Sequence, residues 1–281
     1  MPYDTLQEFL RALEGAGELR RIKAQVDPVL EVAEIADRVS KSPDREGNYP
    51  GSLVRNTEGR SQEQEARRKN VGVNQALLFE NVAGSSVPLA INTFGSFKRM
   101  HMALGCESFD ELAEKIAELT KPEVPSGIFN KIKKGIDFLK IGGYVPKVRG
   151  GGSALCQEVV HTDDADLNTL PIIQCWPEDG GKYITFGQIV TKHPETNARN
   201  LGMYRVQVFG PKMTAMHWHP HHDGARHFRA WAKQGKACPL AITLGGESVL
   251  PYAATAPLPP GIDEHMLAGF LNGKGLDLVP C

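Results

Sequence analysis

The stretch HWHPHHDGARH, positions 217–227, places five of the nine histidines within eleven positions. Read as a strand, it puts His217 and His219 on one face, and a turn at Pro220 aims His221 and His222 into the same space. Imidazoles gathered in this way suit metal or anion binding, against the plainer alternative of a histidine-rich surface turn. Upstream, in Asn200-Leu201-Gly202-Met203-Tyr204-Arg205, the glycine would let a ligand approach the backbone, and the arginine offers a fork for phosphate or carboxylate. An arginine flanked by Tyr204 and Val206 in an apolar run is costly to leave idle. Glu264, within Gly261-Ile262-Asp263-Glu264-His265, reads first as a helix-start acid that complements the dipole. Taken together, an oxygen from Asn200, a nitrogen from the histidine cluster and the Glu264 carboxylate suit a manganese- or magnesium-like ion better than a structural zinc. Such an ion commonly bridges to a phosphate.

The elements that must position these residues follow from periodicity. Leu6, Phe9, Leu10 and Leu13 recur at helical spacing after Asp4, and Gly15 and Gly17 stop the run. A second helix is expected from Asp27-Pro28 to about Ser40, with Val29, Val32, Ala36 and Val39 on one face. Residues 42–69 are polar and charged and read as an insertion that cannot offset its ordering entropy by apolar burial. Strands are expected at 76–79 and 87–92, and Ser108 with Glu111 suggests a capping box for a helix through Leu119. The first domain, residues 1–121, is therefore mixed α/β. Residues 122–152, with their prolines and a Gly150-Gly151-Gly152 run, read as a linker. Beyond it, continuous strands at 183–191, 202–209 and 213–218 predict an antiparallel sheet or barrel. A helix at 224–233, a strand at 239–244 and a helix at 263–271 complete a second domain, residues 153–281. The whole is an α+β chain.

Composition excludes several classes. With 281 residues, 41% hydrophobic and 23% charged, the chain can bury a sizeable core and is neither a disordered tail nor a fibrous repeat. A net charge of -1 argues against a nucleic-acid or anionic-membrane binder driven by bulk charge. The start, MPYDTLQEFL, has no signal-peptide pattern, and five scattered cysteines without a CxxC pair suit reduced thiols, so a cytoplasmic location is expected.

The motifs RNLGMYRVQV, MHWHPHHDGARHF, PLAITLGG and PLPPGIDEHMLAGFLNG, with INTFGSFKRMHMALG in the first half, resemble the UbiD-like decarboxylase family of prenylated-FMN-dependent carboxy-lyases. The resemblance covers nearly the whole chain. It implies an N-terminal α/β domain, then a flavin-reductase-like split β-barrel, then a C-terminal domain that mediates oligomerisation, so that an intact protein would be a homo-oligomer. Matched residue by residue, it implies metal ligation, by Mn2+ or a similar cation, at Asn200, His221 and Glu264. It implies cofactor contacts at Met203, Tyr204, Arg205, His217, Trp218, His219, His222 and Asp223, with His222 standing where relatives often carry Arg or Lys. Arg205 corresponds to the arginine of the family's Glu-Arg-Glu catalytic network. In relatives a cysteine like Cys281 is followed at once by the first acid of that network, so the expectation is of a member cut short, without its proton donor and C-terminal domain.

The implied activity is reversible, non-oxidative decarboxylation of an aromatic or α,β-unsaturated acid, of the 4-hydroxybenzoate type found in quinone biosynthesis. A flavin prenyltransferase would supply the cofactor. Removing carbon dioxide from such acids leaves a carbanion with no neighbouring carbonyl, so an electron sink is needed. Two rival readings remain at this point. One is a flavin-binding fragment that does not turn over. The other is a cupin-like metal enzyme, because His217-x-His219 followed by Asp223 imitates a two-histidine and carboxylate spacing.

Overall fold

The computed structural model describes residues 2–43, 73–120, 142–150, 154–258 and 262–281. Most of the expected 42–69 insertion and of the 122–152 linker therefore lies outside the described residues. No helix among the described residues is long and apolar enough to cross a membrane.

The first half is built on a three-stranded sheet ordered β1 (Leu19–Ile22), β2 (Ala76–Phe79), β3 (Leu89–Ile91), with β1 and β2 parallel and β2 and β3 antiparallel. Strand β2, ALLF, is buried at every position because both sheet faces are covered. Ala76 and Leu78 meet Phe9 and Leu13 of helix α1 (Leu6–Gly15) and Ala103 of helix α3 (Phe97–Leu104). Leu77 and Phe79, on the opposite pleat, meet Val32 and Ala36 of helix α2 (Glu31–Ser40). Helix α2 begins later than its sequence suggests. Asp27 accepts a hydrogen bond from the Val29 N–H at 2.7 Å, forming a local turn, and Val29 bridges to Gln174 of the second half. Helix α4 (Phe109–Thr120) starts with the Asp110 N–H donating to the Ser108 hydroxyl, while Glu111 pairs forward with Lys115 at 2.6 Å instead of closing a capping box.

The motif between β3 and α3 folds around a buried ion pair. Arg99, with 0% of its side chain exposed, donates to Glu18 at 3.2 Å and to the Asn74 carbonyl and side-chain oxygens at 2.9 Å each. Asn92, at φ 61°, donates to the Asn74 side chain and the Gln75 carbonyl, and Gly95 sits so close to Asn92 and Arg99 that no Cβ would fit. Next to this network, Phe94 packs on the core and continues a ring contact from Tyr3 through Phe9 and on to Phe186 in the second half.

In the second half, the long strands expected at 183–191 and 202–209 are each broken. The first becomes β5 (Lys182–Ile184) and β6 (Gln188–Lys192); the second becomes β7 (Arg199–Met203) and β8 (Val206–Gly210). They form one antiparallel hairpin, folded over at residues 185–187 on one arm and at Tyr204 and Arg205 on the other. Beyond the fold, β9 (Met213–Met216) pairs with β8, and β10 (Leu240–Thr243) pairs with β6. The result is two three-stranded sheets, β5-β8-β9 and β10-β6-β7, that share the bent hairpin; no closed barrel forms among the described residues. Ile184, Ile189 and Val206 fill the inside of the bend. Gly187 permits it, because a Cβ there would press on Ile184 and Ile242 at 3.1 and 3.0 Å.

Helices α5 (Asp223–Lys233), α6 (Leu250–Ala253) and α7 (Glu264–Asn272) complete the second half. A shared core joins the halves: Leu104 and Leu112 pack with Leu201, Val249, Leu250, Ala268 and Leu271. Lys147 and Val148, inside the stretch read as linker, form β4 and pair in parallel with β11 (Asp277–Leu278).

Candidate functional site

The hairpin fold is where the chemistry-bearing residues gather. Strand β7 ends in Asn200-Leu201-Gly202-Met203, and the helix start at Glu264 is docked directly against it: the Leu201 N–H donates to the Glu264 carboxylate at 2.8 Å. The start of α7 is held from both sides. Asp263 caps the helix through the His265 N–H, pairs with the His265 ring at 2.6 Å, and receives Arg199 at 2.9 Å. Burial pushes the Asp263 carboxyl up, but His265 and Arg199 outweigh it and hold its pKa at about 2. Glu264 itself is buried, and burial raises its carboxyl above the ordinary range, an effect that the Leu201 hydrogen bond partly offsets.

Asn200 thus precedes the strand residue whose N–H carries the Glu264 carboxylate. Asn200 is buried, and its Nδ2 has no hydrogen-bond partner. Beside it, Tyr204 lies half-buried with its phenol pKa raised by burial; the Asn200 side chain faces the phenol without reaching hydrogen-bond distance. Gly202 has a different role from the one its sequence context suggests. A Cβ at Gly202 would fall 2.4 Å from the Tyr204 ring, so the glycine makes room for tyrosine, not for a ligand's approach. Gly224 does the same on the other side, with Trp218 Nε1 at 2.9 Å and the Tyr204 ring at 3.2 Å from where its Cβ would be. Trp218 meets Tyr204 edge-on at 6.2 Å, and its buried Nε1 also lacks a partner.

The histidine cluster does not converge as one group. His217 receives the Arg205 Nε–H on Nδ1 at 3.3 Å. The rings of His219, His221 and His222 group at the loop tip, with His219 to His221 at 5.1 Å and His219 to His222 at 5.8 Å, and His222 faces Tyr204 at 5.0 Å. His227 is buried, hydrogen-bonded to the Thr191 hydroxyl at 2.9 Å, and serves packing. The reason is α5: its first turn starts at Asp223, so Pro220 and the two histidines after it form the loop that caps the helix, and His227 lies on its inner face. His221 is exposed, its ring beside that of His219. Among the described residues, no group of three or more His, Cys, Asp or Glu side chains is placed to hold a metal ion.

Arg205 is exposed, because it falls at the corner of the hairpin. Its guanidinium lies 5.2 Å from the centre of the Tyr183 ring, a partner that sequence spacing gave no means of finding. Met203 points toward the shared core, and its N–H donates to the Ala254 carbonyl. Asp223 pairs with Arg226 at 2.6 Å.

What this arrangement can bind follows from its unmet groups. Two buried N–H donors, Asn200 Nδ2 and Trp218 Nε1, flank an aromatic ring next to a buried carboxylate, and a loop of imidazoles closes one side. Unmet donors beside an aromatic ring can take hydrogen-bond acceptors of a planar molecule.

Two family profiles match this sequence. Residues 10–119 match the 3-octaprenyl-4-hydroxybenzoate carboxy-lyase N-terminal domain, and residues 147–281 match the Rift-related domain of the same carboxy-lyase. The chain belongs to the UbiD family. It is 41% identical over 277 residues to an uncharacterised protein of Aquifex aeolicus, covering 99% of this chain and 51% of that one. An uncharacterised protein of Archaeoglobus fulgidus is 38% identical, over 100% of this chain and 51% of its own. The chain thus spans about half the length of the curated relatives it matches.

Solved structures share the fold. The UbiD-class enzyme HmfF from Pelotomaculum thermopropionicum, in complex with FMN, aligns with a TM-score of 0.73 at 24% identity, over 99% of this chain and 50% of its own. Vanillic acid decarboxylase of Sedimentibacter hydroxybenzoicus, in closed form, gives 0.73 at 23% identity, over 100% of this chain and 51% of its own. An evolved dimeric HmfF in complex with prFMN gives 0.75 at 24% identity, over 99% of this chain and 53% of its own.

Proposed function

We propose that this chain forms the cofactor-holding part of a carboxy-lyase that removes carbon dioxide, without net oxidation, from an aromatic or α,β-unsaturated acid by means of prenylated FMN. The observation that carries this reading is the cradle at the hairpin fold, where Asn200, Tyr204, Trp218 and Glu264 meet and two buried donors lack partners. In this proposal residues 1–121 and 153–281 act as two domains, the second built as a split barrel. Asn200, Glu264 and His221 would hold a divalent cation such as manganese against the cofactor's phosphate, with His219, His222 and Asp223 around it. When bound, the modified flavin supplies the electron sink that the departing carbon dioxide requires. Tyr204 and Trp218 would wall the ring system, and Met203 would back it. Arg205, steadied by His217 and Tyr183, would orient the substrate carboxylate. A flavin prenyltransferase would supply the cofactor.

One observation favours a second reading, in which the 281-residue chain binds flavin without turning over: among the described residues Arg205 meets an imidazole and a phenol ring, and no carboxylate. The test is to load the protein and its Glu264→Ala variant with prenylated FMN and manganese. Bound metal is measured by elemental analysis, flavin by its absorption spectrum, and turnover by carbon dioxide release from cinnamic and hydroxybenzoic acids. Retained flavin and manganese in the parent, with metal lost in the variant, are expected. Equal metal in both would reject the ligand set, and flavin bound without carbon dioxide release would select the second reading.

A further inference from the structure

Helix α5 lies on the face of β6 and β7 that carries the site. Antiparallel register sets Thr191 opposite Asn200 and Ile189 opposite Gly202, so these four positions share one face of the hairpin. Two side chains of α5, one turn apart, grip β6 at successive residues. The His227 Nδ1 meets the Thr191 hydroxyl at 2.9 Å, and the Trp231 Nε1–H donates to the Lys192 carbonyl at 2.8 Å. One turn before His227, Gly224 lies against Trp218 and Tyr204, with its N–H 3.5 Å from the Tyr204 hydroxyl. Arg229 reaches back to donate to the Pro220 carbonyl at 2.9 Å, which ties the histidine loop to the same helix. Where α5 sits therefore decides where Tyr204, Trp218 and the rings of His219, His221 and His222 stand relative to Asn200, whose Nδ2 has no hydrogen-bond partner among the described residues.

Of the two grips, the one at His227 is sealed from solvent. Thr191 is 1% exposed and His227 2%, so water cannot replace either partner, and separating them leaves two buried polar groups unpaired. The turn between β6 and β7 also bears on this ring: His193 meets it edge-on at 5.5 Å and is itself held by the Glu195 and Thr196 N–H groups, which donate to its Nδ1 at 3.3 Å each.

We infer that His227 is a positioning residue of the candidate site: its bond to Thr191 seats α5 on the hairpin, and through the helix it fixes Tyr204, Trp218 and the loop of imidazoles around the Asn200 donor. The buried member of the histidine cluster thus serves the site from behind. The link to flavin rests on the proposed function, whereas the seating of α5 does not.

The test removes the bond from either end. Thr191→Val deletes the hydroxyl at nearly constant volume and Thr191→Ser retains it; His227→Leu deletes the ring nitrogens and His227→Asn keeps a hydrogen-bonding atom near the place of Nδ1. Circular dichroism confirms that each variant is folded. Amide exchange is then read by mass spectrometry across 217–228 and across β2. Thr191→Val and His227→Leu should each speed exchange across 217–228 by about tenfold or more, the effect of a lost buried hydrogen bond, and leave β2 unchanged. The double variant should be no faster than either alone, since both changes break one bond. Thr191→Ser and His227→Asn should restore slow exchange, although serine fills the site less well than valine does. As a second measurement, FMN followed by its fluorescence should bind Thr191→Val and His227→Leu severalfold more weakly than it binds the parent and Thr191→Ser. Unchanged exchange in every variant, acceleration spread equally over both halves of the chain, or FMN affinity indifferent to Thr191→Val would each overturn the role of His227. A parent that binds no FMN would instead reject the flavin reading, and the exchange comparison alone would then decide the seating.

Discussion

The fit of Tyr204 against Gly202 can be tested with a single methyl group. Gly202→Ala would place a Cβ 2.4 Å from the Tyr204 ring carbon and hydroxyl oxygen, well inside contact distance, in a buried strand that has little room to move. Overpacking of this kind costs about 1 to 3 kcal/mol. For a chain of this size each kcal/mol lowers the melting temperature by roughly 2 to 4 °C, so a fall of about 2 to 12 °C is expected. The cause is separable from any general intolerance of the strand, because it needs the ring. In a Tyr204→Ala background the clash is gone, and the added methyl should be close to neutral. A double-mutant cycle followed by thermal and urea unfolding should therefore return a coupling of about 1 kcal/mol or more between Gly202 and Tyr204. Additive effects would refute the argument that the glycine exists to seat the tyrosine. If the cycle couples, FMN titrated against Gly202→Ala should also bind more weakly than to the parent, since a displaced Tyr204 no longer faces His222 and Trp218.

Three further outcomes concern charge. Glu18→Gln removes a buried carboxylate charge facing the enclosed Arg99 and should destabilise the fold by up to about 3 to 5 kcal/mol, measured by urea unfolding. Arg38→Ala, which breaks an exposed pair with Glu34, should cost under about 1 kcal/mol by the same measurement. His227 gives a pH dependence: burial depresses its pKa below the ordinary value of 6.5, with the charges of His193 and Arg226 adding to the effect and Asp223 opposing it. The unfolded chain then binds more protons than the folded one, so this contribution is present above pH 6.5 and is lost as pH falls through the folded-state value. Melting temperature followed from pH 8 to 5 should decline less steeply in His227→Gln than in the parent; parallel profiles would show that His227 does not contribute.

How much of this was legible beforehand depends on the range of the forces involved. Local signals sufficed where the determinant is local. The helical spacing of Leu6, Phe9, Leu10 and Leu13 gives α1, the apolar run ALLF gives a strand, and Glu264 as a helix-start acid gives the first turn of α7. The motifs around Asn200, the histidine cluster and Glu264 were also sufficient to place the chain in its family, as the two matched domains bear out.

The tertiary structure decided what no window of sequence contains. The bend at residues 185–187 and at Tyr204 and Arg205 is invisible in an alternating strand pattern, because it depends on Ile184, Ile189, Val206 and Ile242 meeting inside the corner from different strands. That bend turns Arg205 outward over Tyr183 and folds Tyr204 inward against Gly202 and Gly224. Histidine spacing likewise says nothing of which ring will be buried. His227 differs from its neighbours because the inner face of α5 brings it to Thr191 on β6, a contact that spans 36 residues and is fixed by packing. Residue type and spacing determined which groups this protein brings to its site. Which way each one faces was set by burial of apolar surface at long range, since that is what chose the corner around which they are arranged.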